Sequence, residues 1–195
     1  MIIGITGGTG CGKTTALKVI EQLGGIIIDC DRVYHDLLAT NKAMLCAIEK
    51  RFPGTVVEGC LNRKALAAIV FSDEAALQDL NTITHGCVKA KVLEILQMKP
   101  SLVAIDAIGL LEGGLAELCD ATVAVTAPEA VRVERLMQRD RLTVQQATMR
   151  IQGQKPQAYF AEHCDYVLEN DSTQEIFQEK CLAFFQKLLT IKENA

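Results

Sequence analysis

Five short apolar runs punctuate the chain, and none alternates strictly with polar residues. They are Ile2–Thr6, Gly25–Asp29, Leu102–Asp106, Ala121–Thr126 and Tyr166–Leu168. Continuous apolar runs of this length suit parallel strands covered on both faces, because a strand with one wet face alternates. Between the runs, apolar positions recur every three or four residues, the period of a helix with one buried stripe. Pro128 suits the first turn of a helix reaching about Arg139. Thr143 and Gln146 have the spacing of a capping box. Ser172 and Glu175 repeat it ahead of a stripe of Ile176, Phe177, Cys181, Phe184, Phe185 and Leu188. Strands alternating with helices predict a three-layer α/β fold around a five-stranded parallel sheet.

The stretch from about 33 to 99 breaks this rhythm. It carries helical patterns and no convincing strand pair, so it reads as a helical insertion between two parallel strands. The expected place for it is the carboxyl edge of the sheet, where open α/β sheets bind ligands. The core is then about 1–32 and 100–195, within one domain.

Chemistry enters where the first strand ends. Gly7-Gly8-Thr9-Gly10-Cys11-Gly12-Lys13-Thr14 satisfies the pattern of a phosphate-binding loop, and it follows a strand and opens a helix, as the mechanism requires. Glycines let the backbone wrap a pyrophosphate with its N–H groups inward, and the next helix offers about half a positive charge at its N-terminus. Thr9, Gly10, Cys11, Gly12, Lys13, Thr14 and Thr15 are the expected ATP contacts, with Lys13 reaching the β- and γ-phosphates and Thr14 ligating Mg²⁺. The fold expectation becomes a P-loop NTPase. A GTPase would carry Asn-Lys-x-Asp after a strand; the nearest approach is Asn41-Lys42-Ala43-Met44, which lacks both the aspartate and the strand. A short chain with a helical insertion suits a small-molecule kinase.

Composition narrows this further. The net charge of -4 on 195 residues argues against a nucleic-acid partner. No apolar run approaches a membrane span, and the chain opens on a strand rather than a signal series. The eight cysteines are scattered without CxxC pairs, which reads as reduced thiols in a cytoplasmic protein. Cys11 alone lies inside the phosphate loop, where a helix N-terminus can lower a thiol pKa and make it reactive; the competing reading is a small residue that fits the turn.

Several further segments, in order along nearly the whole chain, resemble the dephospho-CoA kinase family. They are the loop itself, the acidic turn Asp29-Cys30-Asp31, Gly59 to Arg63 with Leu66 and Val70 to Asp73, Leu80 to His85, and Asp106 to Glu112. Arg135 to Asp140 with Arg150 and Gln154 resembles its lid, placed at about 139–160, and Asp165 to Asn170 its closing strand. Gly86, Ile108 with Gly109, and Phe160 depart from the family pattern.

The resemblance implies phosphoryl transfer from MgATP to the 3′-hydroxyl of dephospho-CoA, the last step of coenzyme A synthesis. Lys13, Asp31 and Arg139 are then the catalytic candidates, with Asp31 accepting the hydroxyl proton and Arg139 clamping the transferring group. Asp31, Arg63, His85 and Asp106 are the substrate candidates, and Thr14 and Asp106 the Mg²⁺ candidates. Blander roles compete at each position: helix capping for Asp29 and Asp31, a strand-end turn for Asp106, a solvated face for Arg135, Arg139 and Arg150, and a structural histidine at His85. Other acceptors, or a regulatory relative without turnover, stay open on sequence alone. Oligomeric state is not legible.

Overall fold

The computed structural model describes residues 1–193. The chain forms two compact units, Met1–Ile28 with Pro100 onward, and Asp29–Lys99.

In the first unit, β1 (Ile2–Thr6), β2 (Ile26–Asp29), β5 (Val103–Asp106), β6 (Ala121–Thr126) and β7 (Tyr166–Glu169) form one five-stranded sheet in the order β2-β5-β1-β6-β7. β1 is central and pairs in parallel with β5 and β6, and β6 pairs in parallel with β7. The apolar runs therefore became strands within a residue of their expected ends. Ile3 and Ile5 point to one face, against Ala16, Val19 and Ile20 of α1 (Lys13–Gln22) and Phe177, Cys181 and Phe185 of α9 (Gln174–Glu193). On the opposite face, a side chain at Gly4 would meet Leu110 Cδ2 at 2.7 Å and Cys119 Sγ at 2.9 Å. That closeness lets the segment after β5 lie flat on the sheet.

Beyond β6 the chain runs through α6 (Glu129–Asp140), α7 (Val144–Gln152) and α8 (Gln157–His163). Leu136, Ala147 and Ile151 join α6 to α7 in a small apolar cluster. Thr143 and Gln146 form the expected capping box on α7. The cap of α9 falls one residue later than the sequence suggested: Thr173 Oγ1, not Ser172, accepts from Ile176 N at 3.4 Å. Phe160 is buried, so this position of the lid segment is core rather than a charged contact.

The second unit is α2 (Cys30–Thr40), α3 (Lys42–Arg51), α4 (Arg63–Val70) and α5 (Glu74–Leu96), packed through Leu37, Leu45, Ile48, Phe52, Leu66, Val88 and Val92. The helical reading missed a hairpin, β3 (Val56–Val57) with β4 (Cys60–Leu61). Its strands are two residues long, and its turn sets both Glu58 (φ 52°) and Gly59 (φ 76°) in the left-handed region. Glutamate there gives none of the usual Asn-Gly or Asp-Gly signal. Gly86 lies inside an unbroken α5, with open space where a side chain would stand.

Candidate active site

The phosphate loop is shaped by three glycines with positive φ: Gly7 (134°), Gly10 (77°) and Gly12 (103°). A side chain on Gly7 would come within 2.1 Å of Val125 O, and one on Gly12 within 2.2 Å of Asn170 Nδ2. Both positions thus need glycine for conformation and for space. Gly12 is also the N-cap of α1 and offers no side-chain bond to its first turn. Thr15 N donates to Gly12 O at 3.0 Å, which leaves the amides of Lys13 and Thr14 at the start of α1 for an anion, as such helices hold phosphate. Lys13 Nζ donates to Gly7 O at 2.8 Å, spanning the loop, and Thr14 is exposed at its side. These residues fit a nucleotide triphosphate.

The outside of the loop is held by side chains from late in the chain. Arg132 Nε donates to Thr9 O at 2.8 Å. Gln154 Oε1 accepts from Thr9 N at 2.8 Å and from Arg132 Nη2 at 3.4 Å. Arg135 Nη1 donates to Gly10 O at 3.2 Å, and its Nη2 to Asn170 Oδ1 at 3.0 Å. Asn170 Nδ2 closes the circuit on Cys11 O at 2.9 Å. With their carbonyls bound outward, Thr9, Gly10 and Cys11 are held in register around the cradle. Arg132 and the arrangement through Asn170 were not singled out from sequence. The available signal was the i,i+3 pair Arg132 and Arg135 on one helix face.

Of the two readings of Cys11, the structure favours the plainer one, a small side chain that fits its place in the loop. It is 1 % exposed and packs in the sheet core. Burial pushes the thiol above its usual range, against the opposing pull of Lys13 and Arg132.

Asp106 ends β5 in register with Ile5, and Ala107 N bonds Ile5 O at 3.2 Å. Thr6 Oγ1 donates to Ile108 O at 3.1 Å, tying the strand before the loop to the segment after Asp106. Asp106 therefore stands one strand from the phosphate loop. Further along that segment, Tyr159 hydrogen-bonds Glu112, and burial together with the carboxylate raises the phenol pKa.

Arg139 lies at the end of α6, exposed, with its fork on its neighbour: Nε to Asp140 Oδ1 at 2.7 Å and Nη2 to Oδ2 at 2.9 Å. Arg150 Nη1 reaches the same carboxylate at 2.7 Å. The hydrogen bond from Arg139 leads in holding the Asp140 carboxyl below its usual range. Asp140 thus gathers two arginines, one from α6 and one from α7, at one point.

In the second unit, Asp29 caps α2, its Oδ1 accepting from Arg32 N at 3.0 Å. Capping is therefore the work of Asp29. Asp31 sits exposed in the first turn, sharing a helix face with Tyr34 and His35 at i,i+3 and i,i+4. Arg63 opens α4, and its Nη2 lies 3.1 Å from His35 Nδ1. Arg63 thus meets α2 at His35, a residue the sequence reading passed over, which lies one turn after Asp31 on the same helix. His85 is half-buried on α5.

Among the described residues no cluster of three His, Cys, Asp or Glu side chains is arranged to hold a metal ion, and no helix is long and apolar enough to cross a membrane.

The family model described as dephospho-CoA kinase matches residues 1–175. A dephospho-CoA kinase from Lactobacillus acidophilus is 33% identical across 99% of this chain and 98% of its own length. The solved structure of a dephospho-CoA kinase from Campylobacter jejuni superposes with a TM-score of 0.69 at 25% identity, covering 96% of both chains. A shikimate kinase from Bacteroides thetaiotaomicron shares the fold, with a TM-score of 0.57 at 16% identity over 97% of this chain and 98% of that one.

Proposed function

Because the chain belongs to the dephospho-CoA kinase family, we infer that it phosphorylates the 3′-hydroxyl of dephospho-CoA with ATP, giving coenzyme A and ADP. The observation that carries this reading is a complete phosphate loop inside a family match that runs through both units. Phosphoryl transfer asks little covalent chemistry of a protein and much positioning and charge stabilisation. The loop amides and Lys13 bind the donor phosphates and stabilise charge on the transferring group. Asp31 orients the acceptor hydroxyl and takes its proton, since its neighbour Asp29 already serves the cap. Arg139 exchanges the Asp140 carboxylate for phosphate oxygens, which suit the same planar fork. Arg63 and His85 contact the acceptor.

Mg²⁺, held on the phosphates with Thr14 and through water by Asp106, would neutralise charge as it develops. The free thiols support a reducing cytoplasm as the compartment, and the net charge of -4 speaks against nucleic acid as a partner.

The test is turnover with MgATP against a panel of dephospho-CoA, shikimate and nucleoside monophosphates. The expected result is ADP release and a coenzyme A product with dephospho-CoA only. Turnover with another acceptor and none with dephospho-CoA would overturn the assignment.

A further inference from the structure

Arg132 is 3 % exposed, and the carboxylate of Glu129, one turn earlier on α6, acts on it through charge. A buried charge is costly, and proteins usually neutralise it with an acid or remove it. Here its Nε and Nη2 are satisfied by neutral acceptors, Thr9 O and Gln154 Oε1. Charge remains against the outer wall of the phosphate loop.

The loop packs closely on Arg132 at two glycines, Gly8 against the guanidinium and Gly10 against the main chain and Cβ. A side chain at Gly8 would lie 2.3 Å from Arg132 Nη2 and 2.9 Å from its Cζ. One at Gly10 would lie 3.1 Å from Arg132 O and 3.3 Å from its Cβ. Both glycines occupy places that the phosphate-loop pattern leaves open to any residue. Gly8 has no positive φ to explain it. Its small size makes room for Arg132.

We propose that Arg132 is a positioning residue for the donor nucleotide: it fixes Thr9, and with it the curvature of the phosphate loop, and lends the loop a positive charge that favours the triphosphate. Gln154, which bonds Thr9 N and Arg132 together, extends the hold to the segment after α7. The proposal rests on ATP being the donor and is independent of the acceptor.

Direct MgATP binding, measured by calorimetry on the full chain, tests it without any acceptor. If dephospho-CoA proves the wrong acceptor, wild-type binding still gives a reference, so the two readings fail separately. Arg132→Met keeps the bulk and removes the fork and the charge. It should weaken MgATP binding about tenfold or more, the scale of lost hydrogen bonds to a charged group. In turnover the loss should fall on the KM for ATP and leave the KM for the acceptor unmoved. A merely structural role predicts the opposite signature, a lowered melting temperature with unchanged MgATP affinity in the folded variant, and that result overturns the proposal. Arg132→Lys should recover part of the affinity; if it matches Arg132→Met, the charge contribution is refuted.

Gly8→Ala serves where Arg132 variants fold poorly, because Gly8 has no positive φ and the nearest atoms to an added methyl are the guanidinium and, at 3.2 Å, Gln154 Oε1. It should weaken MgATP binding by dislodging Arg132. Combined with Arg132→Met, the two losses should not add, since both break one contact. Full additivity would show that Gly8 and Arg132 act separately, against the proposal.

Discussion

Thr9 and Cys11 of the phosphate loop, and Arg132 and Asn170 that hold its carbonyls, are all buried, whereas Asp31, His35 and Arg63 in the helical unit are all exposed. The donor side is made of backbone. Its shape follows from three positive-φ glycines and a ring of side chains bonded to outward carbonyls. The proposed acceptor side is instead made of side chains on helices: Asp31 in the first turn of α2, Arg63 at the start of α4 and His85 within α5. A preorganised backbone site binds what every kinase of this fold shares, the polyphosphate. Exposed side chains on helices can be exchanged without disturbing the fold, so acceptor choice is the adaptable half. Substitutions on the two sides should therefore differ in kind.

The most damaging single change should be Lys13→Ala. The amine spans the loop to Gly7 O and is the one side-chain cation in the loop itself. Its loss should lower turnover by about a thousandfold, the upper range for removing one donor from a developing charge. Circular dichroism should show the fold unchanged, since Lys13 Nζ makes its bond at the surface of the loop. Near-normal turnover would mean that backbone amides alone carry the donor side.

Asp31→Asn tests the other half. The change keeps size and exposure and removes the proton acceptor. Turnover with dephospho-CoA should fall about a hundredfold or more, with MgATP affinity unchanged. Weakened MgATP binding with normal turnover at saturation would move Asp31 to the donor side and break the division drawn above. Asp29→Asn is the matched control, because its carboxylate caps α2 and an asparagine caps nearly as well.

How much of this could be read from the chain follows the same division. The five strands, the loop and the box at Thr143 were legible because local signals agree with the tertiary result there. Continuous apolar runs, a strand before glycines and a helix after them leave few alternatives. The clamp on the loop was not legible, because Arg132, Gln154 and Asn170 reach it from more than a hundred residues away. The local signal is weak, an i,i+3 pair of arginines, and an arginine on a helix ordinarily reads as solvated. The choice between the two readings of Cys11 was not legible for a related reason. The helix N-terminus was visible, but the side chain's turn into the core was not, and burial outweighs the dipole. His35 was missed because its partner Arg63 is 28 residues on, in a different helix.

A smaller effect is expected from Arg63→Met, which sharpens the comparison on the acceptor side. The guanidinium is exposed and touches His35 rather than a backbone carbonyl. Solvent screens such a contact, so the KM for dephospho-CoA should rise only about threefold to tenfold. MgATP affinity should not move. Equal losses for both substrates would show that the residue supports the protein generally rather than the acceptor.

The smallest effect should come from Asp73→Ala, which removes structure from the acceptor unit without touching its chemistry. Asp73 Oδ1 accepts from Ala75 N at 2.9 Å and from Ala76 N at 3.2 Å, capping α5. Losing a cap of this kind costs about 1 kcal/mol. For a chain of this size that lowers the melting temperature by about 2–4 °C, readable by calorimetry. The helix it caps also carries His85, a candidate acceptor contact, but three turns further on. Fraying is confined to the turns next to a lost cap, because the interior bonds of α5 and the burial of Thr84 and Val88 hold the middle in place. The KM for dephospho-CoA should therefore stay at its wild-type value while the melting temperature falls. A rise in that KM would mean that the start of α5 is coupled to the acceptor face, and that the helical unit is less tolerant of exchange than its exposed side chains imply.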